Sequence, residues 1–374
     1  MKLRALISAA ALLLAGSAAA QGVTDSQVVL GQSAALTGPA GQLGQDMRTG
    51  AMLYFNLVND HGGVHGRRIV LKTLDDGYDP ARAAANTKKL IDDERVFALF
   101  GYVGTPTFNA SAPIIKEARI PLVSAFTGAE SLRDPVIRYV FNVRASYFDE
   151  TEQIVQHLTS MGIDRIAVFY QNDAYGQAGL TGVERALKKR NLELVAKGTV
   201  ERNSQDVKKA VAEMVKLDPQ AIVMISAYKS CAAFIRDMKK AGKSPSFWNV
   251  SFVGSKALAK ELGPEGRGVQ ISQVVPFPWD DSIPVVREYT RLLKASGSGE
   301  PNFSSLEGFI SAKVIVEGMR RAGKNLTRDS LIRALETMEP YDVGGFKVYY
   351  SAEDHRGSRY VDLTIISKNQ KFVR

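Results

Sequence analysis

The sequence predicts an α/β protein built as two doubly wound parallel-sheet lobes joined by a three-segment hinge. Three observations lead there. Apolar runs of strand length alternate with helix-length segments from residue 27 onward, the pattern that a parallel sheet covered by helices requires. The alternation closes near Thr127 and restarts at Arg165, as a second lobe would. Finally, 374 residues exceed what one hydrophobic core usually organises.

The first run opens with the strand VVLGQSA (28–34), followed after a Gly/Pro loop by a helix over 45–59. The strand RRIVLKTLDD comes next, and Asp79 with Pro80 then starts a helix through Leu90, a capping residue followed by proline in the first turn. Strand VFALFG (96–101), a helix over 106–118 and strand IPLVSAF complete the set. The second run reads RIAVFY (165–170), a helix over 177–189, LELVAKGTV, a helix over 206–217, AIVMIS (221–226), a helix over 230–241 and SFWNVSF. No sequence motif links the halves, so the repeat is architectural.

In the tail, VQISQVVPFPW (269–279) is strand-like but broken by Pro276 and Pro278, and helices over 284–296, 304–322 and 328–338 follow. FKVYY and RYVDLTII then read as a hairpin. Segments near 140–144, 273–277 and 339–343 are expected to cross between the lobes, which gives lobe I as 21–142 plus 273–338 and lobe II as 143–272 plus 339–374. A hinge of a few extended segments suits clamp closure.

Composition narrows the function. Lys2 and Arg4 precede an uncharged run that ends in small residues at Ala18 and Ala20, a secretory signal peptide with cleavage expected before Gln21. The expected compartment is the periplasm. The single cysteine, Cys231, has no internal partner and lies in the apolar stretch CAAFI, where a buried thiol acts as a small hydrophobe. A net charge of +9 favours anionic ligands, while the scatter of the basic residues over helix faces argues against nucleic acid.

Catalytic and metal patterns do not emerge. His61 and His65 lie in the turn HGGVHG, His157 and His355 stand apart, and no G-x-S-x-G elbow, HExxH or Walker loop is present. The chain is therefore read as a binding protein without cofactor or metal rather than as an enzyme.

The loops after the strands carry the candidate site, because ligands of open α/β sheets bind at the carboxyl ends of strands. GYVGTPTFNA brings Thr105 and Thr107 to the start of a helix, and SAFTGAESL brings Ser124, Thr127 and Gly128. A hydroxyl beside the free N–H groups of a helix N-terminus suits a carboxylate. In the other half, Tyr175 follows RIAVFY and Tyr228 follows AIVMIS, while Tyr78 and Phe126 add rings to the first. These rings read as ligand-facing walls.

Several stretches together resemble one family. The signal peptide, GQSAALTGPAGQLGQDMRTGAMLYFNLVNDHGGVHGRRIVLKTLDDGYDP, FALFGYVGTPT, PLVSAFTGAESL and FYQNDAYGQAGLTGVERAL look like the leucine/isoleucine/valine-binding family of type I periplasmic binding proteins, over about residues 28–346. The resemblance implies the solute-binding component of an ABC importer, a monomer that clasps a small carboxylate (a branched-chain amino acid or a related amino-acid-like or aromatic acid) and presents it to permease subunits. It implies that Thr105 holds the ligand carboxylate, that Thr127 and Gly128 contact carboxylate and amine, that Tyr175 closes over the ligand and that Tyr228 is another second-lobe contact. Amino-acid-binding relatives carry an acid after the strand that here reads SFWNVSFVGS, where this chain has Ser251, Phe252 and Val253. Either another group such as Asp76 substitutes, or the ligand lacks a free amine, since an unpaired buried ammonium is costly. The same fold also serves as ligand sensors uncoupled from transport, such as amide-sensing regulators, the alternative function.

Overall fold

A computed structural model describes residues 21–374; the expected signal peptide lies outside the described residues. The first half runs β1 (Gln27–Ala34), α1 (Gly41–Asp60), β2 (Arg68–Asp75), α2 (Pro80–Asp92), β3 (Ala98–Phe100), α3 (Thr105–Glu117), β4 (Leu122–Val123) and β5 (Val140–Phe141). The second runs α4 (Tyr147–Ser160), β6 (Ile166–Gln171), α5 (Ala174–Lys188), β7 (Ala196–Val200), α6 (Lys208–Leu217), β8 (Ala221–Ile225), α7 (Tyr228–Lys240), β9 (Ser246–Asn249), α8 (Ser255–Leu262) and β10 (Gln270–Gln273). The tail contributes α9 (Pro284–Ser296), α10 (Phe303–Ala322), α11 (Arg328–Glu336), β11 (Tyr341–Asp342), β12 (Lys347–Val348), β13 (Asp362–Ile366) and β14 (Phe372–Val373).

Two sheets result. The first has the order β2-β1-β3-β4-β5, parallel throughout, with Gln27 opposite Arg68 and Ala34 opposite Asp75. The second has the order β14-β13-β10-β9-β8-β6-β7, parallel from β7 to β10 and closed by antiparallel β13 and β14. Central strands such as β3 and β8 are buried at every residue, as strands covered by helices on both faces must be. In each sheet the strand order reverses once, between β1 and β3 and between β6 and β8. Those reversals open crevices at the strand ends, and the site forms there.

Tail helices complete the first lobe. α10 lies against α1 so closely that a Cβ on Gly50 would stand 1.6 Å from the Ser305 carbonyl oxygen and one on Gly308 2.0 Å from that of Met47. Only glycine allows that approach. Asp79 caps α2 through the Arg82 N–H and Asn302 caps α10 through that of Ser305, so side chains satisfy donors the helices leave open.

Several expected boundaries move. α1 begins a turn earlier than expected, and the strand over 269–279 shrinks to Gln270–Gln273 because the prolines beyond it lack a ladder donor. FKVYY and RYVDLTII do not pair with each other: β12 pairs with β11, and β13 lies between β10 and β14. The β11–β12 turn packs on the first lobe's side, where the Val285 N–H donates to the Gly344 carbonyl and Arg321 covers the Tyr341 ring. Helices α4 and α8 were not read from the sequence, although Ser146 and Asp149 form a reciprocal capping box at the start of α4.

Candidate functional site

On the first lobe, β3 ends at Phe100 and the chain turns through Gly101 and Gly104, both at positive φ, into α3. Gly104 is required there, because a Cβ would stand 2.2 Å from the Tyr78 ring. Tyr78 is itself held by Asp76, whose carboxylate accepts from the Tyr78 N–H at 2.9 Å and from the Ser33 hydroxyl at 2.7 Å. Burial pushes the Asp76 carboxyl up to about 6 against those two donors. Both oxygens thus hold the turn that presents Tyr78.

Thr105 opens α3, and its hydroxyl lies 2.6 Å from that of Thr127. Thr127 also donates to the Tyr147 hydroxyl at 3.3 Å, and the Tyr147 N–H donates to the Gly128 carbonyl at 2.7 Å. Gly128 has no room for a side chain, since a Cβ would stand 2.6 Å from the Tyr147 ring. Three hydroxyls, those of Thr105, Thr127 and Tyr147, thus lie together at the first turn of α3, where the Thr105 and Thr107 N–H groups have no acceptor within the helix and Pro106 carries none.

The second lobe brings rings. Asp173 caps α5 by accepting from the Tyr175 N–H, which fixes Tyr175 in the first turn. The Tyr175 ring centre lies 5.4 Å from Tyr147 and 4.5 Å from Phe252, and Phe252 lies 5.9 Å from Tyr78 and 5.5 Å from Phe126. Tyr78 and Phe126 from the first lobe therefore meet Tyr175 and Phe252 from the second. Burial raises the Tyr78 and Tyr175 phenols far above their ordinary value and Tyr147 to about 12, so all three keep their protons at neutral pH. Across the junction, Gln171 donates to the Tyr78 hydroxyl at 3.3 Å and Asn203 to the Gly77 carbonyl at 3.2 Å.

Beside the rings lies a buried ionic cluster. Arg144 covers the Phe126 ring at 4.5 Å, pairs with Glu307 at 3.0 Å, and donates to the Ser251 hydroxyl at 2.7 Å. Glu150 accepts from the Ser251 N–H at 2.7 Å and from the hydroxyls of Ser251 and Ser272 at 3.1 and 2.6 Å. Glu307 thus meets the guanidinium directly, and Glu150 is linked to it through the Ser251 hydroxyl. Burial, only partly offset by Arg144, pushes the Glu307 carboxyl up to about 7, and burial raises Glu150 as well. Among the described residues, Arg144 Nη1 and Ser226 Oγ are buried donors without a partner.

The structure gathers Thr105, Thr127, Gly128, Tyr78, Phe126 and Tyr175 into one site, with Ser251 at its ionic edge. Tyr228 stands apart from the ring cluster. It lines the mouth of the junction with Gln42, Asp46, Lys256, Lys260 and Glu261, in a cavity of about 580 Å³. Gln42, at the start of α1, and Tyr228, at the start of α7, thus face the same cavity from the two lobes. Cys231 is buried with its thiol on the Ser226 carbonyl, and burial raises its pKa well above the ordinary thiol value. Tyr147, Arg144, Glu150, Phe252 and Glu307 were not picked out as site residues. One signal was available: a lone acid, Glu307, inside the apolar helix FSSLEGFISA.

Among the described residues no helix is long and apolar enough to cross a membrane, and no group of three or more His, Cys, Asp or Glu side chains is placed to hold a metal ion. A family profile described as "Periplasmic binding protein" matches residues 27–371. The "Leu/Ile/Val-binding protein homolog 7" of Brucella suis is 24% identical over 369 residues, covering 93% of this chain and 90% of its own length. A crystal structure of a "possible leucine/isoleucine/valine-binding protein" from Rhodopirellula baltica is 34% identical, covers 94% of this chain and 98% of its own, and superposes with a TM-score of 0.89. A substrate-binding periplasmic protein from Ralstonia solanacearum is 33% identical, covers 93% and 99% of the two chains, and gives a TM-score of 0.88. With two parallel-sheet lobes meeting over a cleft of hydroxyls and rings, and with that match along nearly its whole length, this chain belongs to the periplasmic binding protein family, and it is a binding protein rather than an enzyme.

Proposed function

We propose that this protein is the periplasmic solute-binding component of an ABC importer, and that it captures a small carboxylate between its lobes: a branched-chain amino acid or a related amino-acid-like or aromatic acid. The observation that carries this reading is the Thr105–Thr127 hydroxyl pair, 2.6 Å apart at the first turn of α3 and facing Tyr147 and Tyr175. A carboxylate seated there accepts from both hydroxyls and from the open N–H groups of the turn, each a charge-assisted bond. The buried donors Arg144 Nη1 and Ser226 Oγ support a ligand that brings acceptors.

Within that class the geometry favours acids without an ammonium group. Asp76 spends both oxygens on Ser33 and Tyr78, and Glu150 spends its own on Ser251 and Ser272, beside Arg144. Each carboxylate is already committed to donors of the protein, with which a ligand ammonium would have to compete.

The moving bodies in this reading are residues 21–142 with 273–338 and residues 143–272 with 339–374, the β11–β12 hairpin travelling with the first. Ligand binds the Thr105 face, and the second lobe closes through contacts that only the closed form makes. Tyr228, facing Gln42 at the mouth, shuts the entrance; Ser251 ties Arg144 to Glu150. The permease then reads closure. Export by a signal peptide cleaved before Gln21 completes the pathway, with the protein acting as a monomer.

Calorimetry with a panel of branched-chain amino acids, their deaminated analogues and aromatic acids tests this. Thr105→Val should preserve the fold and weaken the best ligand by about 1 to 3 kcal/mol, the loss of one hydrogen bond to a charged group. Unchanged affinity removes Thr105 from the site.

A further inference from the structure

Phe252 occupies the place where the ring walls of the two lobes meet. It lies in the short 3-10 turn Ser251–Val253 that links β9 to α8, and it is fully buried. The turn is seated on the first lobe: Gly254, at φ +79°, packs so closely on α1 that a Cβ there would stand 2.4 Å from the Leu43 side chain. From this seat the Phe252 ring reaches Tyr175, Phe126 and Tyr78 at 4.5, 5.5 and 5.9 Å between centres.

Those spacings decide what fits. A ligand tail held between two rings, flat or aliphatic, needs two carbon contacts of about 3.5 to 4.0 Å each, or roughly 7 to 8 Å from face to face. The spacings from Phe252 are those of rings in direct contact, so no group lies between Phe252 and its neighbours, and a tail that reaches past the polar half meets Phe252 itself, which fills the apolar half of the cleft. The polar half, with Thr105, Thr127 and Tyr147, stays close to it because Tyr147 touches both Thr127 and Tyr175.

We propose that Phe252 sets the size of the ligand: it restricts the cleft to carboxylates with a short aliphatic tail and excludes acids that carry an aromatic ring. This rests on the reading of the Thr105–Thr127 pair as the carboxylate grip. Phe252 acts as a fixed occupant of the space a larger side chain would need, and its removal opens that space to the ligand.

The test is calorimetry of the whole mature protein with isobutyrate, isovalerate, phenylacetate and 4-phenylbutyrate, on the wild type, Phe252→Ala and Phe252→Leu, with thermal unfolding as the check on folding. The wild type should prefer the two aliphatic acids by at least tenfold. Phe252→Ala should reverse that order by raising affinity for 4-phenylbutyrate tenfold or more, and Phe252→Leu should fall between; if the alanine variant does not fold, a smaller shift in the same direction by the leucine variant carries the test. An unchanged size order in a folded variant, or a wild type that binds phenyl acids as tightly as aliphatic ones, overturns the proposal and leaves the carboxylate grip standing. Failure of all three proteins to bind any of the acids overturns the proposal, and the grip falls with it only if Thr105→Val also leaves the affinity for the best ligand of the wider panel unchanged.

Discussion

The two faces of the cleft are built from different materials. The first lobe supplies short side chains and main chain: Thr105, Thr127, Gly128 and the glycines that let Tyr78 lie against the start of α3. The second supplies bulk, with Tyr175 and Phe252. Small groups on strand tips hold fixed directions, because the sheet positions the backbone and little side-chain freedom remains to be lost. Rings cover area and exclude water. One face is thereby suited to recognising a charged group, the other to shutting over it.

Arg144 stands at the junction of the two, and removing it should break the contrast most severely. Arg144→Ala leaves Glu150 and Glu307 buried without that cation, so stability should fall by about 3 to 5 kcal/mol in denaturant unfolding, with ligand binding lost only as the fold is lost. Stability within 1 kcal/mol of wild type would mean that water reaches the pair.

A pH series sharpens the same point. Glu307 at about 7 and Asp76 at about 6 hold protons in the folded state that the unfolded chain has already released. Stability from these groups is present below their ordinary values near 4 and is lost as pH rises through 6 to 7. Asp75, held down to about 2 by the Thr37 hydroxyl and neighbouring N–H groups despite the desolvation that opposes them, acts with the opposite sign, but only below pH 4. The melting temperature should therefore fall between pH 4.5 and 7.5, and Glu307→Gln should flatten that slope; an equally steep slope in the variant would exclude Glu307 as its source.

The smallest expected effect separates closing from gripping. Asn203→Ala removes one exposed bond between the lobes, to the Gly77 carbonyl, worth about 0.5 to 1 kcal/mol. Apparent affinity should weaken by a few-fold while the melting temperature of the free protein stays put. A larger drop in stability than in affinity would show that Asn203 holds a lobe together.

Much of this was legible in the residues. The apolar runs at 96–101, 165–170 and 221–226 became central strands because buried parallel strands need no polar face. Thr105, Thr127 and Tyr175 could be chosen because they follow strands, and the reversals of strand order then bring them together. Tyr147, Arg144 and Phe252 escaped because their roles depend on partners distant in sequence: Thr127 and Tyr175 for the first, Glu307 for the second, Tyr78 and Phe126 for the third. No local periodicity encodes such meetings. Tyr228 followed the same rule as Tyr175, yet its ring lines a cavity among the polar side chains of Gln42, Asp46, Lys256, Lys260 and Glu261 instead of joining the ring cluster.

The close approach of α1 and α10 at Gly50 and Gly308 bears on how the chain is made. Helix α1 is synthesised early, but the surface that covers it arrives only with Phe303–Ala322, after the five parallel strands β6 to β10 of the second sheet. Closing so long a loop is entropically slow, and apolar positions on α1 such as Met47 and Ala51 stay uncovered until it closes. A nascent chain therefore cannot finish its first lobe ahead of its last third.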